Sequence, residues 1–327
     1  MSLNVKFYQY RHNLILLRSV LLTLFGLSIS ACHSLTTVAA TVQPVTNTPK
    51  VALVLGGGGA KGFAHVGVIK ALEENGITPT LVVGTSVGSL VGSLYASGYT
   101  SMQLERLALS TTDNELTDFT LSNQGFIEGI KLKNFVNAHV NGRAIESFPI
   151  SFAAVAAEKH TLKKAVFTTG DAGLAVQASC SVPNIFIAPR IPEKVGKKYV
   201  DGGVVSLVPV DSAHDLGADI VIAVDVTTIN TNTSIANKAP TIQSLTSFWG
   251  VLENNVVSNI TVPSNTNRIA PMRLERDRAD IVIIPNVGHI SSIDTSQRSA
   301  LITAGSQATL PQINAIKQLI KEKSDSK

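Results

Sequence analysis

Residues 51–96 read VALVLGGGGAKGFAHVGVIKALEENGITPTLVVGTSVGSLVGSLYA. Val51–Leu55 is an unbroken apolar run, the mark of a strand buried on both faces. Glycines fill most of Gly56–Gly62, and Phe63–Glu74 then spaces its apolar residues as a helix until Gly76 stops it. Thr80–Val83 is a second short buried strand, and Val87–Ala96 is a helix of small residues ended by Gly98. Strands alternating with helices in this way predict a mostly parallel sheet covered on both faces.

The pattern continues outward. Ile150–Ala157 and Lys164–Thr168 read as strands, and Asp171–Ser181 as a helix capped by Asp171 and ended before Pro183. Lys198–Val200 is a short strand. A helix over Asp211–Leu216 precedes a buried strand over Asp219–Val226, and Asp280–Ile284 is the last strand. Thr295–Lys321 is a terminal helical segment broken near Pro311. Thr227–Ala239 is a polar, Thr- and Asn-rich loop. Ile242, Leu245, Trp249, Leu252 and Val256 share one helical face, which suits core packing better than a lid over a pocket. No internal repeat is visible. The expectation is a single domain over 51–327 with three layers, α/β/α, and a mostly parallel central sheet.

The chain has 327 residues, 44% of them hydrophobic and 15% charged, enough for a large core. Its formal net charge is +4, but Lys6, Arg11 and Arg18 stand in the first 31 residues, which hold no acid. Without them 24 basic residues face 23 acidic ones, so electrostatics offer no case for nucleic-acid binding. A basic head, the apolar run Val20–Leu27 and then Ile29-Ser30-Ala31-Cys32 have the form of a secretory leader. The apolar run is shorter than the ~20 residues of a spanning helix. The cysteine directly after Ile-Ser-Ala resembles the lipobox of bacterial lipoproteins, which implies cleavage after Ala31 and lipidation of Cys32. Residues 1–31 are then a signal peptide and 32–50 a lipidated cysteine with an extended tether. The expected location is the cell envelope, on the periplasmic side of an outer membrane where one exists.

Three motifs carry chemistry. Gly84-Thr85-Ser86-Val87-Gly88 lies between a predicted strand and a predicted helix, the G-x-S-x-G pattern of a nucleophile elbow. Such a turn strains the serine, needs small neighbours and aims Ser86 Oγ at a helix N-terminus, where negative charge is favoured. The glycine run Gly56–Gly62 brings backbone N–H groups close to an anion, either a phosphate or an acyl oxyanion. A dinucleotide site wants an acid ~20 residues later, yet no Asp or Glu occurs between Glu74 and Glu105. The oxyanion use fits better, because an acyl-transfer serine requires such donors. Third, Asp201-Gly202-Gly203 follows the strand Lys198–Val200, a turn by itself and a candidate base beside the other two motifs.

In this order the three motifs resemble the patatin-like phospholipase family, over nearly the whole stretch from Val51 to about Leu310. Ala178-Ser179-Cys180-Ser181-Val182-Pro183 also resembles a family segment ahead of the Asp-Gly-Gly turn. The resemblance implies a Ser–Asp dyad of Ser86 and Asp201 and an oxyanion loop of Gly57, Gly58 and Gly59. It implies membrane phospholipids or lysophospholipids as substrate; no cluster of metal ligands appears in the sequence, so no metal and no cofactor is expected. Ser206 departs from the pattern, since family members often carry Asn there. The rival within the site is a histidine triad, for which only His214 or His289 follows Asp201 in the chain. His65 reads as a packed polar side chain and Lys61 as a solvated residue opening the helix. A non-catalytic lipid-binding lipoprotein, or a thioesterase or peptidase on the same site, remain the other functional readings.

Overall fold

Alternation places the side chains of the first strand on two faces, and both faces are covered. The computed structural model describes residues 48–227 and 274–326. In it β1 (Val51–Leu55) sends Val51, Leu53 and Leu55 into one core cluster and Ala52 and Val54 into another. α1 (Phe63–Glu74), β2 (Leu81–Thr85) and α2 (Val87–Ala96) follow, with both helices bounded as their spacing predicts. β2 starts one residue later than expected and runs on to Thr85, so it delivers the chain directly to Ser86. β1 and β2 pair in parallel, Ala52 against Leu81 and Leu55 against Gly84.

Between Gly98 and Ile150 the sequence pattern announced nothing, and the structure holds a subsection of its own. α3 (Ser101–Ser110) and the single turn α4 (Asp113–Leu116) precede a hairpin of β3 (Phe119–Ser122) and β4 (Gly125–Ile127), then α5 (Ile130–His139). α3 buries only Ser101 and Leu104, too thin a stripe to register as a period. Its start was nonetheless written in the sequence. Thr100 Oγ1 accepts from Gln103 N, and Gln103 Oε1 accepts from Thr100 N, a reciprocal cap.

The sheet has a parallel wing and an antiparallel wing. β5 (Ser151–Glu158) extends the parallel set beyond β2, and β9 (Ile220–Val224) and β10 (Ile281–Ile283) extend it beyond β1. β6 (Lys164–Phe167) and β8 (Lys197–Asp201) both run antiparallel to β5, and the two-residue β7 (Arg190–Ile191) pairs with β8. Ala154 and Val155 pair with both β2 and β6, whereas Ala156 and Ala157 pair with both β6 and β8. β8 therefore takes over the edge of β5 where β2 stops. The two strands point at each other along that edge, with Thr85 opposite Val155 and Asp201 opposite Ala156.

α6 (Ala172–Cys180) is capped by Asp171, which accepts from Leu174 N, and every one of its residues is buried. α1, α6 and α8 (Arg298–Thr309) contribute to the larger core, and α7 (Val210–Asp215) covers the other face of the sheet. The terminal helix breaks at Leu310–Gln312, at the predicted proline, before α9 (Ile313–Asp325). This is the three-layer α/β/α arrangement, with the mixed strands confined to one wing. No helix among the described residues is long and apolar enough to cross a membrane. The expected leader, Cys32, most of the tether, residues 228–239 of the polar loop and the Ile242–Val256 stripe lie outside the described residues.

Candidate active site

Ser86 sits at the join of β2 and α2 with φ 55° and ψ −129°, a region that costs a non-glycine residue about 1–3 kcal/mol. Its neighbours explain the glycines. A Cβ on Gly84 would stand 2.4 Å from Gly88 O, and one on Gly88 would stand 2.1 Å from Leu55 O. The strained turn is held from both sides. Ser86 O accepts from Ser89 N at 2.8 Å and from Ser89 Oγ at 2.7 Å. Ser86 N donates to Ser179 Oγ at 2.9 Å, and that hydroxyl donates onward to Val155 O at 2.6 Å. Ser179 thus ties the elbow to β5. Its place in the Ala178–Pro183 segment was visible in the sequence, but its role was not.

Asp201 arrives at the end of β8, fully buried. Its N–H donates to Ser181 O at 2.8 Å, and its Oδ1 accepts from Gly203 N at 2.7 Å. Burial pushes its pKa up from 3.8 to about 7, against the restraint of the Ser86 hydroxyl and the Gly203 amide. Asp201 Oδ2 is buried and has no hydrogen-bond partner among the described residues. A base in that condition has a lone pair ready for a proton.

Ser206, the departure from the family pattern, is well satisfied. Its Oγ donates to the Glu275 carboxylate at 2.8 and 2.9 Å, and its carbonyl accepts from Thr85 Oγ1 at 2.9 Å. The turn after Asp201 is therefore stitched to the residue just before Ser86.

The glycine loop lies against Ser86: a Cβ on Gly57 would be 3.3 Å from Ser86 Cβ. Gly57 N–H is spent on Leu207 O at 3.0 Å, and Ala60 N–H on Ser292 O at 2.7 Å. Gly58 and Gly59 N–H make no hydrogen bond among the described residues. Of the three expected oxyanion glycines, two present free donors, and Gly57 supplies the close approach instead. Gly59 has φ +58°, and a Cβ there would meet Ser292 O at 2.3 Å, so only glycine fits.

His65 supports this loop from below. Its Nε2 lies 2.8 Å from Gly56 O, and since a carbonyl can only accept, Nε2 carries the proton. Nδ1 is then a buried lone pair without a partner among the described residues, and burial pushes the imidazole pKa down to about 4. His214 is exposed on α7 and lies 3.4 Å from Arg278 O, and His289 is exposed. Lys61 departs from its expected solvated state. It is only 6% exposed, with burial lowering its pKa and Nζ donating to Gly288 O at 3.5 Å. Cys180 is buried 3.8 Å from Ser89 Oγ, and burial holds the thiol protonated, which makes it inert.

A family model for patatin-like phospholipases matches residues 53–214, a span that contains the loop, the elbow and the Asp201 turn. The chain belongs to the patatin-like phospholipase family. It is 35% identical over 182 residues to an uncharacterized NTE family protein of Mycobacterium tuberculosis, covering 55% of this chain and 49% of that one. It is 31% identical over 256 residues to the lysophospholipase nte1 of Aspergillus fumigatus, covering 76% of this chain and 15% of that one. This patatin-like chain thus spans about half the length of the first of these curated relatives and less of the second. Among solved structures, VipD from Legionella pneumophila shares the fold with a TM-score of 0.56 at 14% identity, over 82% of this chain and 67% of that one.

Proposed function

We propose that this patatin-like chain is a serine acyl-ester hydrolase of phospholipase or lysophospholipase type, with Ser86 as nucleophile and Asp201 as its base. The observation that carries this reading is the meeting of β2 and β8 end to end along β5, with a strained serine at one end and a buried carboxyl at the other. Ser86 Oγ bonds to the ester carbonyl carbon while its proton passes to Asp201. The carbonyl oxygen becomes an anion and takes the free N–H groups of Gly58 and Gly59, each worth about 3 kcal/mol in such a role. Collapse breaks the ester C–O bond, and the leaving alcohol takes the proton from Asp201. Water then attacks the acyl-enzyme, again yielding its proton to Asp201; the bond to Ser86 Oγ breaks as that oxygen takes the proton back from Asp201, and the fatty acid leaves. A carboxyl held near pKa 7 accepts a proton at neutral pH far better than an ordinary one.

Turnover of p-nitrophenyl butyrate by wild type, Ser86→Ala and Asp201→Asn tests the dyad. Both variants should lose several orders of magnitude in kcat with folding intact. Equal rates in all three would remove the enzymatic reading. His214→Ala and His289→Ala should each stay within about twofold of wild type, as surface changes do; collapse of either would favour the triad. We propose further that Cys32 is lipidated and anchors the enzyme to the membrane that holds its substrate.

A further inference from the structure

Beside the glycine loop lies an apolar cavity of about 200 Å³, open to solvent. One wall is a single stripe of α2: Val87, Leu90, Val91 and Leu94, spaced as one helical face. Leu104 and Leu107 of α3 line it too; of the lining residues on these two helices Leu94, last in the stripe, and Leu104 are buried, and we take them as its floor. At the other end the wall is Gly59, Gly62 and Val87. Val87 is the residue after Ser86, and Gly59 carries one of the two free N–H groups, so the cavity begins where the scissile carbonyl would sit.

The lining is almost all carbon, and its few polar groups are spoken for. Arg298 Nη2 pairs with Asp113 at 2.9 Å, its Nη1 donates to Ala108 O at 2.9 Å, and its guanidinium covers the Phe63 ring at 5.0 Å. Thr295 Oγ1 donates to the same Asp113 at 2.7 Å. Among the described residues, no side chain of the lining is left to bind a headgroup, a phosphate or a peptide. Its chemistry suits a hydrocarbon.

We propose that this cavity receives the acyl chain of the ester and selects chains of medium length; the proposal rests on the hydrolase reading above. From Val87 to Leu94 the α2 wall runs about 10 Å. An extended octanoyl chain fills that run, a butyryl chain leaves most of it empty, and a palmitoyl chain overruns the floor. Each methylene seated against the wall is worth roughly fourfold in binding.

The test is kcat/KM of the full-length protein for p-nitrophenyl butyrate, octanoate, laurate and palmitate. Wild type should favour octanoate over butyrate by about tenfold or more and fall again by palmitate. Val91→Phe, which fills the middle of the wall, should cost octanoate about tenfold more than it costs butyrate. Leu104→Ala, which opens the floor, should move the optimum toward laurate. A wild-type profile that is flat or still rising at palmitate overturns the proposal, and needs no variant to fold. So does an unshifted profile in a folded Val91→Phe or Leu104→Ala. Hydrolysis of none of the four esters by wild type would instead bring down the hydrolase reading itself.

Discussion

Asp201 and His65 are titratable groups buried within one site, and their pH dependences oppose each other. The folded chain holds the Asp201 proton up to about pH 7, whereas the unfolded chain releases it near 3.8. Stability therefore falls as pH rises through that window, and above it the ionised carboxyl costs about 4 kcal/mol. Asp201→Asn cannot ionise and keeps an oxygen for Gly203 N. Its thermal midpoint should exceed that of wild type at pH 8 and lose the advantage by pH 4, while activity disappears. An equal difference at both pH values would contradict the assigned burial cost. His65 works in the other direction. Its folded pKa of about 4 lies below the ordinary 6.5, so the unfolded chain takes up the proton first as pH falls. Below pH 6.5 that removes stability, up to about 3 kcal/mol by pH 4. His65→Gln, which retains an N–H for Gly56 O, should flatten the acid limb of a denaturation series run from pH 4 to 7. In the proposed mechanism Asp201 works ionised, so kcat/KM of wild type should climb through pH 7 and level off above 8.

Among the elements, the tightest packing is α1 on α8. A Cβ on Gly67 would stand 1.8 Å from Ile302 O, one on Gly305 would stand 2.0 Å from Ala64 O, and Ser306 Oγ donates to Gly67 O at 2.9 Å. The backbones touch, so any side chain must push the helices apart. Gly305→Ala should cost about 3 kcal/mol in urea denaturation, against about 1 for Gly76→Ala, a helix end with open space around it. Similar losses at the two sites would show that the contact tolerates a shift. α1 also carries His65 toward the glycine loop, so activity of the Gly305 variant should fall before its fold does. How much of this was legible follows from the same physics. Apolar runs and helical stripes gave β1, α1, α2 and α6 nearly to the residue, because burial on both faces leaves a strong pattern. α3, the β3–β4 hairpin and α5 bury few side chains and left no period to read. The antiparallel course of β6 and β8 was equally invisible, since strand direction depends on partners that a local pattern does not name.

For the molecule as a whole, the glycine motifs were legible because their steric demands are local, and Asp201 became legible only beside them. What joins the motifs was not: Ser179 between elbow and β5, His65 under the loop, and the Ser206–Glu275 contact all depend on residues distant in sequence. At this scale belongs the proposed anchor. Several acyl chains on Cys32 would hold the protein at a bilayer far more firmly than one. Cells fed radiolabelled palmitate should label wild type and not Cys32→Ser, and the variant should leave the form cleaved after Ala31. Equal labelling of both would end the lipoprotein reading.

The end-to-end meeting of β2 and β8 makes β5 a gauge for the proposed reaction. Ser86 and Asp201 belong to distant parts of the chain, yet each is set by a rung on one shared strand, Val155 opposite Thr85 just before Ser86 and Ala156 opposite Asp201. Slipping either strand by a single rung would turn its side chains to the opposite face and pull the pair apart without disturbing a residue of the dyad. Loops on either side can therefore lengthen or drift freely, so long as the count along β5 is kept.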